Sequence, residues 1–444
     1  MSESLADLHL HLYGAIPASL WHDLIAGRDI NWHDYERAFA AAYGRHVDMA
    51  GVLGQCDRNS SQWRRHFEFG SDDAGNFDRF QAKFNLLISS SALAGLDGSA
   101  SPWRAVELEL DRVVDGLAHQ QRRHGVDYAE YRMMFGPRHS PATVERAARR
   151  ICYAMGQQSA TTMRLALSLP RADPWPMWGV VQAVLASDVG SSLTAIDFCG
   201  TEEGFPPQAL AGVLADVHRF NARHPDRAIA TLVHVGESYR DKTLESAVRW
   251  VHQAAVGGAH RLGHALALGI DPQRHRDQTR HESPAERLDQ IAYDLEHAVE
   301  LRRFGVRVDI DELGRERLQR QAQSPRQSIA VHYDQDRVDQ VRRRQEFAIH
   351  ALRDRGTIIE VCPTSNYRIA GLTHWPQHPL PRFLAAGLRV VVGSDDPGLL
   401  GTSLRQELSL VGSEIGVTAT QCDALVAQAW AARSECLAGR RGVG

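Results

Sequence analysis

The sequence predicts an α/β fold: a closed (β/α)8 TIM-type barrel, with extra helices after its first strand and a charged helical insertion after its sixth. Three observations predict it. Eight short, largely apolar runs recur along the 444 residues, mostly separated by amphipathic helical stretches. Runs such as Val390-Val391-Val392 and Thr357-Ile358-Ile359 lack polar alternation, as expected of parallel strands covered on both faces. The residues able to carry chemistry lie at both ends of the chain and must meet, which favours one barrel domain over residues 1–444 rather than two.

The strand runs fall at 5–12, 127–134, 163–169, 193–199, 229–235, 259–263, 357–362 and 388–393. In the first, Asp7-Leu8-His9-Leu10-His11-Leu12-Tyr13-Gly14, the period of two puts His9 and His11 on one face and the leucines on the other. The connection that follows, about 16–121, reads as helical throughout. A second long connection, about 271–345, is dense in Arg, Asp, Glu and Gln, with helical stretches such as 284–304. It reads as a solvated helical decoration, with a lid or a contact between subunits of a homo-oligomer as the other readings. No repeat, low-complexity tract or Gly-rich phosphate loop interrupts the pattern.

The apolar fraction of 43% and charged fraction of 23% are those of a globular protein, and a net charge of −4 gives no electrostatic case for nucleic acid or anionic membranes as partners. Six scattered cysteines without C-x-x-C spacing imply reduced thiols rather than a disulfide frame or a cysteine zinc site. No charged-then-apolar leader precedes the first strand and no apolar run approaches about 18 residues. A soluble, cytoplasmic protein is expected.

Barrel enzymes place catalytic groups where strands end. The first strand ends in His9 and His11. The fifth runs Thr231-Leu232-Val233-His234-Val235-Gly236-Glu237, the sixth Arg261-Leu262-Gly263-His264, and the eighth Val392-Gly393-Ser394-Asp395-Asp396-Pro397. A lone His-x-His is commonly structural, but histidines and carboxylates converging from four strand ends on one rim are not explained by packing. Imidazoles and a carboxylate suit a catalytic zinc ion with one position left for water, whose pKa falls to about 7 there. A nearby histidine and glutamate can orient that water and move protons. Lys83 and Lys242 are the only lysines, and neither follows the fourth strand. A carboxylated-lysine bridge between two metals is therefore absent, and one ion per chain is expected.

These segments closely resemble the adenosine deaminase family of metal-dependent hydrolases. The matching pieces are His9-Leu10-His11-Leu12-Tyr13-Gly14-Ala15-Ile16, Phe80-Gln81-Ala82-Lys83-Phe84, Tyr128-Ala129-Glu130-Tyr131-Arg132, Asp197-Phe198-Cys199-Gly200, His234-Val235-Gly236-Glu237, Arg261-Leu262-Gly263-His264, Cys362-Pro363-Thr364-Ser365-Asn366 and Ser394-Asp395-Asp396-Pro397. The resemblance implies zinc held by His9, His11, His234 and Asp395. It implies Glu237 as proton donor to N1 of a purine, His264 and Asp395 on the oxygen attacking C6, Asp396 at N7 and the Gly200 N–H at N3. The implied reaction is hydrolytic deamination of a 6-aminopurine, adenosine or deoxyadenosine first, to a 6-oxopurine and ammonia. The H-x-E…P-C-x-x-C signature of cysteine-ligated deaminases is absent.

Phe80 and Phe84, four apart on a helix, are core residues by default, although their family counterparts wall the substrate pocket. Cys199 and Cys362 read as packing. Glu130 and Arg132 share a face of the second strand and read as an interior ion pair. Tyr13 departs from the family, many of whose members carry an acidic residue there, an aspartate that binds the ribose 5′-hydroxyl in adenosine deaminases. Its strand parity points it into the pocket mouth beside His9 and His11. That substitution opens adenine and 5′-modified or N6-substituted adenosines as alternative substrates without touching the deamination machinery; a non-catalytic purine-binding barrel is a separate, remote alternative.

Overall fold

A computed structural model describes residues 4–96, 103–324 and 326–441. Eight parallel strands form one sheet: β1 (Leu5–His11), β2 (Val126–Met134), β3 (Thr162–Ser168), β4 (Leu193–Asp197), β5 (Ala230–Val235), β6 (Arg261–His264), β9 (Ile358–Val361) and β10 (Arg389–Val392). The missing numbers, β7 (Thr279–Glu282) and β8 (Ile329–His332), are a separate antiparallel pair. The ring closes between its first and last strands just beyond β10. Asp395 N–H donates to the His9 carbonyl at 2.8 Å, and His11 N–H donates to the Asp395 carbonyl at 2.9 Å. All eight strands lie where the apolar runs predict them, and helices cover the outside. Among the described residues no helix is long and apolar enough to cross a membrane.

The barrel interior is charged as well as apolar, and here the expected Glu130–Arg132 pair is corrected. Both side chains are buried, but each finds its partner on another strand. Arg132 pairs with Glu360 of β9, and Glu130 pairs with Arg261 of β6. Arg261 also lies 2.8 Å from Glu360 Oε1. Ser434 caps this network from the C-terminal segment, donating its hydroxyl to Glu130 Oε2 at 2.6 Å and its N–H to Oε1 at 2.7 Å. Buried charges are tolerated only when paired in this way.

Helices fill the connection between β1 and β2, ending in the long helix Trp103–His124. The connection after β6 is helical in the stretch expected, and it also contains strands. Besides the helices Pro284–Glu296, Ala298–Arg303 and Ile310–Gln321 it holds the antiparallel β7–β8 pair, whose strands bracket those helices. Its expected end at 345 falls inside one continuous helix, Gln335–Arg355, which delivers the chain to β9. This strand pair docks on the segment that follows β5. Arg280 Nε donates to the Lys242 carbonyl at 3.1 Å, and the Tyr333 hydroxyl accepts from Leu244 N–H at 2.8 Å and donates to Glu245 at 2.5 Å.

Candidate active site

The C-terminal rim of the barrel gathers His9, His11, His234, Glu237, His264, Asp395 and Asp396. The rings of His9 and His234 are 4.8 Å apart and those of His11 and His234 5.2 Å. Two buried carboxylates orient them. Glu360 Oε2 lies 2.9 Å from His9 Nδ1, and Asp197 Oδ1 lies 3.1 Å from His234 Nδ1. An ionised carboxylate only accepts, so the proton of each ring sits on Nδ1 and the Nε2 lone pair is free. Both Nε2 atoms are buried without a hydrogen-bond partner. The donor atoms of His9, His11 and His234 lie within 4.8 Å of one another, and Asp395 Oδ1 lies 3.4 Å from His9 Nε2 and 3.2 Å from His11 Nε2. Three imidazole nitrogens aimed at one point beside a carboxylate, two of them otherwise orphaned, fit a divalent cation such as zinc.

Arg132 ties the two orienting carboxylates together. It pairs with Glu360, and its Nε lies 3.6 Å from Asp197 Oδ1. Against the cost of burial, this guanidinium helps hold both carboxyls well below the usual range; His234 acts first on Asp197, and Arg132 first on Glu360. Gly263 makes room for the rings: a Cβ there would meet His9 Cε1 at 3.1 Å and His234 Cγ at 3.2 Å.

The protonation of His264 follows from its neighbours. Asn366 Oδ1 accepts from Cys362 N–H and faces His378 Nε2, both at 3.1 Å, so the amide turns its NH2 to His264 Nδ1 at 3.0 Å. Nδ1 is then the acceptor and Nε2 carries the proton. That proton is directed at Glu237 Oε2, 3.6 Å away, and Asp395 Oδ2, 3.9 Å away. Burial holds His264 well below the ordinary histidine range, so the ring is a neutral donor. His264 and Asp395 both occupy the left-handed region, at φ 64° and 62°. For side chains other than Gly this costs about 1–2 kcal/mol each, strain concentrated at the strand ends where these groups are aimed.

Burial, then the charges of Asp395 and Glu202, push the Glu237 carboxyl well above its usual range. Burial and Asp395 push Asp396 up to about 7, and its Oδ1 is buried without a partner. Asp396 comes this close to the β1 turn only because residue 14 is Gly, where a Cβ would sit 1.6 Å from Oδ1.

Of the predicted substrate-facing residues, Gly200 stands exposed just beyond β4 at φ 81°, with the Met134 thioether against it. Phe80 and Phe84 lie half-buried on the helix Phe77–Ser90, with rings 6.2 Å apart. This helix reaches the loop after β5, where Arg240 stacks 4.8 Å over Phe77. Tyr13 departs from its expected place. β1 ends at His11 and the chain turns, so strand parity no longer sets the direction of the next residues. The buried phenol packs edge-on against Trp21 and donates to Glu109 Oε1 at 3.1 Å. The sequence reading missed Glu360, which no motif marks, and the parts played by Asn366 and Glu202. Asn366 stood in a quoted motif, and Glu202 follows Gly200 by two residues.

Residues 315–437 match the model of the adenosine deaminase family, so the resemblance carried by the motifs is met there. That segment includes Glu360, Asn366, Asp395 and Asp396, and the three histidines lie outside it. An aminodeoxyfutalosine deaminase of Acidothermus cellulolyticus is 36% identical over 84 residues, 17% of this chain and 24% of that protein. An adenine deaminase of Rhizobium leguminosarum bv. trifolii is 39% identical over 77 residues, again 17% and 24%. The chain thus matches about a quarter of the length of these relatives. Over nearly its whole length it shares the fold of an adenine deaminase from Arthrobacter aurescens, with TM-score 0.55, 16% identity, and 97% and 94% of the two chains covered. It also shares the fold of a zinc-bound amidohydrolase from Burkholderia ambifaria, with TM-score 0.54, 16% identity, and 97% and 85% covered.

Proposed function

We propose that this chain, whose last third matches the adenosine deaminase model, is a metal-dependent hydrolytic deaminase of 6-aminopurines. The observation that carries the reading is the pair of orphaned Nε2 atoms on His9 and His234, beside Glu237 and His264 whose side chains approach to 3.6 Å. His9, His11, His234 and Asp395 would hold one zinc ion, which when bound supplies the Lewis acidity that makes water a nucleophile near pH 7.

The remaining work falls to the protein. The Nε2–H of His264 and the Asp395 carboxylate orient the attacking water, and Asp395 accepts its proton as oxygen adds to C6. Glu237 gives its proton to N1, so the ring never carries the full negative charge of addition. The unpartnered Oδ1 of Asp396 bonds at N7 and the Gly200 N–H at N3, while Phe80 and Phe84 wall the ring. Asp395 then returns its proton to the C6 amino group, the C6–N bond breaks with its electron pair on nitrogen to release ammonia, and the C6 hydroxyl gives its proton to Glu237 as the 6-oxopurine forms.

Adenosine and deoxyadenosine are one substrate reading. A specific observation favours a second, free adenine: the buried Tyr13 phenol donates its single proton to Glu109, so it has none to give a ribose oxygen. The name of the Rhizobium relative agrees with it, and that of the Acidothermus relative keeps larger aminopurines in the panel. The test is turnover of adenine, adenosine, deoxyadenosine, 5′-methylthioadenosine, AMP and N6-methyladenine by the zinc-loaded protein. Loss of the aminopurine ultraviolet band should be matched by release of ammonia, or of methylamine from N6-methyladenine. Purine binding without turnover of any of them would make the chain a non-catalytic purine-binding barrel instead.

A further inference from the structure

We propose that Glu202 is a positioning residue that holds the Glu237 carboxyl at the reacting ring, an inference that rests on reading Glu237 as the proton donor. Glu202 lies in the segment after β4 and is buried. Its Oε2 accepts from Gly236 N–H at 2.8 Å, and its Oε1 from Glu237 N–H at 3.0 Å and Ser238 N–H at 3.2 Å. Three consecutive backbone N–H groups, opened toward one side by Gly236 at φ 72°, form a concave anion-binding nest, and here the anion is a side chain of the neighbouring strand's loop. The next residue repeats the arrangement. Glu203 accepts from the Ser238 hydroxyl, and its Oε1 lies 3.4 Å from Arg240 Nε.

The loop after β5 is thus moulded on the loop after β4, with Glu237 at the centre of the grip. This loop does more than connect β5 to its helix. It must set a carboxyl within hydrogen-bond reach of a ring nitrogen whose position is fixed from elsewhere, by Asp396 and Gly200. Displacement of a catalytic group by about 1 Å can cost about 100-fold in rate. Gln at position 202 would keep the shape but lose the charge, and present an NH2 where two acceptor oxygens are needed.

The Glu202→Gln protein should retain its zinc content and circular dichroism. Its kcat on whichever aminopurine the wild type turns over should fall about 10- to 100-fold, with KM within about threefold. In a Glu237→Gln background, adding Glu202→Gln should change the residual rate less than about twofold, because the first substitution acts through the group already removed. Equal losses in both backgrounds, or a loss tracking reduced zinc or folded fraction, would overturn the proposal. Glu202→Asp, which keeps the charge but withdraws it by one methylene, should fall between the two and serves if the Gln protein does not fold. Hydrogen–deuterium exchange reads the grip without any turnover. The amides of residues 236–238 should exchange slowly in the wild type and faster in Glu202→Gln, and unchanged protection would overturn the grip even if Glu237 proves not to be the acid.

Discussion

Replacing Glu360 by Gln removes a carboxylate that touches a proposed metal ligand and two buried arginines at once. Glu360 meets His9 Nδ1 at 2.9 Å, Arg261 Nε at 2.8 Å, and Arg132. Removing one partner of a buried ion pair costs about 3–5 kcal/mol, because the other charge is left in a poor solvent. Asp197 stays beside Arg132 and Glu130 beside Arg261, which puts the cost near the lower end, about 3 kcal/mol. At about 2.1 cal/mol/K per residue, unfolding entropy for 444 residues is about 0.9 kcal/mol/K, so Tm should fall by about 3 °C. The second effect is local. An amide oxygen orients the His9 ring less firmly than a carboxylate, and loss of such an outer partner typically weakens metal binding about 10- to 100-fold. Differential scanning calorimetry of the metal-free protein reads the first effect, and zinc titration against a competing chelator the second. A Tm within 1 °C of wild type together with unchanged zinc affinity would refute the reasoning.

Three further outcomes are expected. Glu237→Gln should keep zinc but lose turnover by about 100- to 10,000-fold, and substantial remaining activity would remove Glu237 from its role. His234→Ala should lower bound zinc by elemental analysis, since it deletes an Nε2 that has no other partner, and full occupancy would strike it from the ligands. Burial pushes the Glu407 carboxyl, which accepts from Thr364 N–H at 2.8 Å, up to about 7, so the folded state binds its proton more tightly than the unfolded chain does. The stability this contributes is fully present below the ordinary carboxylate range and is lost as pH rises through about 7. The Tm advantage of Glu407→Gln over wild type should therefore grow between pH 5 and pH 8, and a constant difference across that range would contradict it.

The parts legible in the sequence are those encoded by local pattern. Apolar runs such as Val390-Val391-Val392 marked the strands, and the period of two brought His9 and His11 together because both lie within β1. Beyond the end of β1 the period of two no longer sets a side chain's direction. Tyr13 was assigned by parity two residues past the point where the chain turns, and it faces Glu109 instead. Glu130 and Arg132 were correctly placed inside the barrel, but their partners come from β6 and β9, which no spacing on β2 reveals. The β7–β8 pair is not legible because Thr279-Arg280-His281-Glu282 is short and polar, with no apolar alternation to read, and its partner strand lies beyond three helices. Glu360, Asn366 and Glu202 share one difficulty. Each acts through a hydrogen bond to a group on another strand or its loop, and such pairings are set by the closed barrel.

The central claim is that one metal ion on His9, His11, His234 and Asp395 serves the hydrolysis of a 6-aminopurine. Ammonia release measured on the zinc-loaded protein, after chelation, and after zinc is restored tests it most directly. The account predicts one ammonia per 6-oxopurine formed, loss of the activity with the metal, and its return at one zinc per chain. Turnover that persists in the fully metal-free protein, or a zinc-loaded protein that binds adenine and adenosine yet releases no ammonia, would contradict it.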